Sequence, residues 1–460
     1  MWIHAVRTWL LSARTDAINR FSAVTRLFGC TRGWWVLCCV IANTVWAEEP
    51  VTPPKSPPMF IEEAVATTLA NNPSLAEMQA RYQALSEIPS QRGTLPDPVL
   101  GLNALNFPTD SFNVGQEPMT QMQLGLSQVL PFPGKLSLEK RISEFEALAA
   151  RHSVDELQLL LVRDTERSWW RLFYLDRTLD VVESNQDLLR QFVEVAKTKY
   201  EVGDGLQQDT LLAQLELSKL FDQEIRLQAI RRNQAIQLNV LMDVAPDEPI
   251  VLPGKVSTHL PKILKENDLY NRAQDIHPSL EEEASYISAA EARLKLARKQ
   301  YYPDFKLGVS YGNRSGENPL PIGGDRSDFV SVLFSVNLPI YHKRKLDRAV
   351  SQRRMELRQR RDSLRDEWGI IRSEISAAST DYDEAKALFD LFDTGIIPQA
   401  RQTVASMLAG YQVNKVDFLN LVGSQVTLLN YEIQYWKALT DAHQALARLR
   451  AAVGEEQVIE

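Results

Sequence analysis

A chain of 460 residues with 51 Lys and Arg against 59 Asp and Glu carries a net charge of −8, a sign that excludes nucleic acid as a partner because a phosphate backbone demands a basic face. The three cysteines, Cys30, Cys38 and Cys39, all lie ahead of residue 40, so the rest of the chain has no thiol for a disulfide, a thiolate metal site or a cysteine nucleophile. The sequence also lacks a Gly-rich phosphate loop, a nucleophile elbow and clustered histidines, which leaves an enzyme reading little to rest on and no cofactor to bind.

Residues 1–47 read as a cleaved export signal. Arg7, Arg14, Arg20, Arg26 and Arg32, with the single acid Asp16, precede the apolar run 34–45, and Val45-Trp46-Ala47 leaves small residues where a signal peptidase cuts. The alternatives are an uncleaved anchor, for which that run is short, and lipidation at Cys30, ahead of which no apolar run stands. Without the leader the balance is 46 basic residues against 58 acidic ones, 46 − 58 = −12. No later stretch approaches the roughly twenty apolar residues of a membrane helix. A membrane contact of the mature chain must therefore use strands.

Residues 48–58 are a proline-rich linker. Helical periodicity then spans 59–88, interrupted at Asn71-Asn72-Pro73, whose proline suits the first turn of a new helix. Two segments of period two follow, 99–104 and 121–127, joined by loop 106–118, and the second closes in Val129-Leu130-Pro131-Phe132-Pro133-Gly134-Lys135. Alternation of apolar and polar residues marks them as strands. The next helical pattern, 137–200, is unbroken by proline and is several times longer than a domain helix. Gly203 and Gly205 stop it, and the chain returns as a helix over 207–241 with Leu217, Leu220, Phe221 and Ile225 expected on one side.

The same series recurs after a linker, 244–263, that contains four prolines. Asn72-Pro73-Ser74-Leu75 matches His277-Pro278-Ser279-Leu280, Pro96-Asp97 matches Pro303-Asp304, Tyr200-Glu201-Val202-Gly203 matches Tyr411-Gln412-Val413-Asn414, and Gln214 matches Gln425. The chain is a tandem duplication of 59–243 and 264–454, followed by a short tail, 455–460. The second copy reads as helix 264–299, strands 305–312 and 330–338, long helix 345–406, a turn at 411–415 and a helix to 453. Pro398 is expected to bend or break its long helix. The fold class is mainly α with a small β part, a protomer of long antiparallel helical hairpins plus four strands.

Four strands cannot close a barrel, and an open sheet edge is not tolerated in lipid. The consistent solution is several chains, and three would give twelve strands and an open lumen. Such an oligomer also gives the long helices partners along their length.

Together Asn72-Pro73, Pro96-Asp97-Pro98, Pro131-Phe132-Pro133-Gly134-Lys135, Tyr200-x-x-Gly203, Tyr301-Tyr302-Pro303-Asp304-Phe305 and Ala452-Val453-Gly454 resemble the TolC-like outer-membrane efflux factors over about 59–454. That resemblance implies a homotrimer with a 12-stranded barrel in outer-membrane lipid, continued by an α-helical barrel in the periplasm. It also implies docking to a periplasmic membrane-fusion adaptor and an inner-membrane pump. The stretch 110–120 looks most like members that serve heavy-metal pumps of the resistance-nodulation-division class; a multidrug or type I secretion duct is the alternative.

In the family, acidic residues near the hairpin tips form cation-selective rings that help hold the tunnel shut. Asp209 looks like that position in the first repeat, while the second has Asn420 and Gly423 there, leaving Asp204 and Asp417 as nearby substitutes. The plain alternative is that these are turn and helix-start residues. Tyr200 and Tyr411 could bond hairpins together or merely cap the apolar stripe. Gly203, Gly205 and Asn414 form the turns. His152, His259, His277, His342 and His443 lack ligand spacing and read as surface or turn residues, Met119 and Met122 do not make a copper site, and no metal site is expected. The rival to a channel is a periplasmic coiled-coil scaffold whose strands form a small soluble sheet.

Overall fold

The computed structural model describes residues 57–455 and 457–459. The leader and all but the end of the linker 48–58 lie outside the described residues. The chain forms α1 (Ile61–Asn71), α2 (Pro73–Ser86), α3 (Ile88–Gly93), β1 (Val99–Leu105), β2 (Gln121–Leu130), α4 (Lys135–Glu201) and α5 (Gln207–Leu241). The second copy supplies α6 (Glu266–Ile276), α7 (Pro278–Lys299), β3 (Phe305–Asn313), β4 (Phe329–Val336), α8 (Asp347–Leu391), α9 (Ile397–Gln412) and α10 (Phe418–Val453).

The repeats begin alike because both use a side-chain cap with proline next to it. Asn72 Oδ1 accepts from the N–H groups of Ser74 and Leu75 at 3.0 and 3.3 Å, and His277 Nδ1 accepts from Ser279 N–H at 3.3 Å. Each cap also touches the end of a returning helix. Asn72 Nδ2 donates to Leu241 O at 3.0 Å, and His277 lies against Gly454, the left-handed residue that ends α10. His277 is buried and His443 stacks on Trp170 with centroids 3.7 Å apart. This corrects the surface or turn placement expected for both; burial pushes each ring down to about 4, so both are neutral at pH 7.

Helix α4 has 67 residues with no proline or glycine inside it, which at about 1.5 Å per residue gives roughly 100 Å. Its buried side includes Val154, Leu161, Trp169, Leu172, Leu175, Val182, Leu189 and Phe192. These pack against α5, α7 and α10, so the first repeat's long helix is also wall to the second repeat. On α5 the expected stripe divides: Leu220 is buried, whereas Phe221 and Ile225 are exposed. The arc they span is wider than the strip that α4 covers.

Pro398 does not break the second long helix. A π turn, Phe392–Ile396, precedes it, and α9 continues with the proline in its first turn. The wider turn makes room for the pyrrolidine ring, and helical backbone continues to Gln412.

All four strands form one antiparallel sheet in the order β1-β2-β3-β4, so the β2–β3 pairing joins the repeats. The register stacks like on like. Leu102, Leu124, Tyr311 and Val330 form one row, and Leu100, Leu126, Val309 and Val332 the next. The opposite face carries Gly101, Gly125, Ser310 and Ser331 in a single row. Both edges, β1 and β4, are unpaired, and the apolar rows are exposed, Leu102 and Val332 by more than three-quarters. No helix among the described residues is long and apolar enough to cross a membrane.

Candidate functional site

The hairpin tips use one turn twice. Gly203 has φ of 82° and Asn414 φ of 57°, the left-handed conformation that ends a helix. Asp204 N–H donates to Lys199 O, and Lys415 N–H to Gly410 O, both at 2.9 Å. A Cβ on Gly205 would lie 2.9 Å from Lys199 Cβ, so only glycine fits there without displacement.

Across these turns the second hairpin is held by the first. The buried Tyr411 donates its hydroxyl to Asp209 Oδ2 at 3.3 Å. Lys199 Nζ donates to Tyr411 O at 2.6 Å and to Asn414 Oδ1, and stands 4.5 Å from the Tyr411 ring centroid. Deeper in the tip, Gln425 Nε2 donates to Asn185 Oδ1 at 2.6 Å, and Phe192, Phe418 and Leu421 belong to one apolar cluster along the same helices.

Electrostatics here are set by burial. Desolvation lifts the Asp209 carboxyl above its ordinary range, with Asp417 adding to it and the Tyr411 bond and Lys199 charge opposing. Burial, followed by the Asp209 charge, pushes the Tyr411 hydroxyl up to about 12, so it remains a donor.

Of the residues singled out in the sequence, the structure brings together Asp209, Tyr411 and Asn414, with Asp417 close enough to act on the Asp209 charge. Asp204 and Tyr200 are exposed; although Tyr200 matches Tyr411 in sequence, it does not share its packing. Lys199 carried no sequence signal, since one lysine on a long polar helix is unremarkable. The Asn185–Gln425 bond had half a signal in the Gln214–Gln425 match.

At the other end, motif residues of the two repeats meet in one contact. Lys135 is buried, and its Nζ donates to Asp304 Oδ1 at 2.8 Å and Tyr302 O at 2.9 Å; Phe132 N–H donates to the same carboxylate at 2.7 Å. Phe132 stacks on Tyr302 with centroids 4.6 Å apart, and Lys299 Nζ donates to Pro133 O at 2.9 Å. Gly134, with φ of 87°, turns the chain from Pro131 and β2 into α4. Pro303 precedes Asp304, and Pro96 O accepts from Gln128 Nε2 at 2.6 Å, while Asp97 and Pro98 are exposed.

A sequence profile described as outer membrane efflux protein matches residues 64–243 and 269–455, the two repeats. The chain belongs to the outer membrane efflux protein family. Members are channels rather than enzymes, and they reside in the outer membrane. Among solved structures, the fold is similar to the outer-membrane channel OprN at 17% identity, with 86% of this chain and 89% of that one covered and a TM-score of 0.71. It is similar to CusC at 14% identity, with 86% and 92% covered and a TM-score of 0.73. The outer membrane protein VceC from Vibrio cholerae aligns at 17% identity over 86% and 96%, with a TM-score of 0.70. A search of curated proteins finds no match.

As an outer membrane efflux protein, the chain has two distinctive regions along its hairpins: a sheet with exposed apolar rows, and a tip where one carboxylate holds a buried tyrosine. Among the described residues, no group of three or more His, Cys, Asp or Glu is placed to hold a metal ion.

Proposed function

We propose that three copies of this chain close their sheets into a 12-stranded outer-membrane barrel and their hairpins into a helical tunnel below it. The observation that supports this best is the sheet. It has two free edges and an outward face of Leu100, Leu102, Leu124, Leu126, Val309, Val330 and Val332, with glycine and serine behind, which suits lipid outside and water inside.

The tunnel is the exit duct of a tripartite efflux system, fed by an inner-membrane resistance-nodulation-division pump through a periplasmic adaptor. An apolar collar at the tips, Val202 and Leu206 in one turn and Val413 and Leu419 in the other, is exposed and offers the adaptor a surface. The tip is the gate, with Tyr411 bound to Asp209 in its closed state. Three symmetry-related Asp209 carboxylates would favour cations, and heavy-metal cations are the cargo class, a reading carried by the 110–120 loop.

Conductance of the purified protein in a planar bilayer tests this. Discrete, cation-selective steps that widen or lose selectivity in Asp209→Ala support the duct and its acidic gate. A protein that stays soluble without detergent and forms no channels would establish the periplasmic scaffold instead. Channels without cation preference would point to a drug or peptide cargo.

A further inference from the structure

We infer that the free sheet edges are locked to a second copy of this chain by a repeat of the Lys135–Asp304 clasp, made by Lys343 of one copy and Asp97 of the next. The inference rests on the trimeric barrel proposed above and adds its interface chemistry.

The internal duplication supplies the geometry. Asp97 and Asp304 differ by 304 − 97 = 207 residues, and Leu130-Pro131 and Leu338-Pro339 by 338 − 130 = 208. The register confirms the two offsets independently. Phe305 pairs with Val336, and subtraction gives Pro98 opposite Gln128, the next position along from the observed Val99–Ser127 pair. The β2–β3 junction is therefore the template for β4 against β1 of the next copy. Leu126–Val309 becomes Phe334–Leu102, two side chains that are 60% and 77% exposed in the protomer.

The clasp transfers with the strands. Asp304 becomes Asp97, Lys135 becomes Lys343, and the Phe132 N–H becomes that of Ile340. The Phe132–Tyr302 stack becomes Ile340 against Leu95, and the Lys299 bond to Pro133 O becomes Arg92 to Tyr341 O, so a cation recurs where a cation stood. All six of these residues are exposed. Among the described residues no hydrogen bond or ion pair engages the side chains of Asp97 or Lys343, whereas their equivalents are joined. Ile340 N–H closes instead on Leu338 O of its own chain at 2.9 Å, as expected of a turn whose acceptor has not arrived. One replacement changes the backbone: His342 stands for Gly134, and since a Cβ disfavours φ near +87°, the chain enters α8 through a π turn, His342–Leu346.

Charge exchange tests the pairing in the detergent-solubilised full protein. Asp97→Lys and Lys343→Asp singly should raise the rate of trimer dissociation at least about tenfold, and the double variant should restore it. In parallel, Asp97→Cys with Lys343→Cys, bridged by a short bismaleimide, should yield covalent dimers and trimers that neither single variant gives. Stable trimers that neither cross-link nor respond to charge exchange would overturn the clasp while leaving the barrel reading intact. Protein that is monomeric by light scattering in both detergent and bilayer extracts would overturn both.

Discussion

The hydroxyl of Tyr411, in the second repeat, donates to Asp209, in the first, and does so from a buried position at the hairpin tip. The repeats are thus fastened asymmetrically, because the matched Tyr200 is exposed and Asp209 has Asn420 as its own match. A hydrogen bond of this kind contributes about 1 kcal/mol, which moves a closed–open equilibrium about fivefold. Tyr411→Phe should therefore increase the open fraction of single channels, while Tyr200→Phe should leave it unchanged. Equal effects of the two would remove the bond as the latch.

Lys135 is nearly inaccessible, and its removal strands the Asp304 carboxylate. Loss of one partner from a fully buried pair costs about 3–5 kcal/mol. Asp304 keeps 29% of its side chain exposed and retains the Phe132 N–H, so Lys135→Met should destabilise by about 2 kcal/mol. Lys135→Met with Asp304→Leu should recover part of that loss in denaturant melts, because the orphaned charge has gone.

Glu156 makes stability fall with rising pH. Burial first, then the carboxylates of Glu367, Glu282 and Glu374 on facing helices, push its carboxyl from 4.5 up to about 7, against the nearby Arg163. His277, beside it, is pushed down to about 4 by burial and is neutral where Glu156 titrates, near pH 7. The native state holds the proton more tightly than the unfolded chain, so the contribution is complete below pH 4.5 and lost as pH rises through 7. The full swing is about 3 kcal/mol, an upper figure for a side chain that water partly reaches. Glu156→Gln should therefore melt higher than the native protein at pH 8 and close to it at pH 4.5. A gap that is widest at low pH would contradict the assignment.

How much of this was legible in the sequence follows from the range of each signal. Period two and unbroken helical stripes are local, so the four strands and the 67-residue helix could be read directly. Matched motifs revealed the duplication, but a repeat reports likeness and not contact. That Lys135 meets Asp304, or that β2 pairs with β3, is fixed by tertiary placement 169 residues away. Burial was misread where covering came from another element: His277 sits under the end of α10, and His443 under Trp170. Phe221 and Ile225, on the apolar side expected for α5, stay exposed, since that pattern answers to more neighbours than one protomer provides.

The two tips specify what their turns tolerate. Gly203 adopts φ of 82° with nothing within 4 Å of where a Cβ would stand, so conformation alone constrains it. Asn414 holds the same place at φ of 57°, and asparagine visits that region more readily than other side chains. Gly203→Asn should therefore leave the melting temperature nearly unchanged, whereas Gly203→Val should cost about 1–2 kcal/mol. Gly205 is limited by space instead, because its Cβ would press on Lys199 Cβ and on the Tyr200 backbone nitrogen at 3.1 Å. Since Lys199 is the residue that grips Tyr411, Gly205→Ala should loosen the latch as well as the turn, and open probability should rise in step with the loss of stability. If Gly205→Ala lowers the melting temperature but leaves channel opening untouched, Lys199 is a structural cation only and the gate lies elsewhere in the tip.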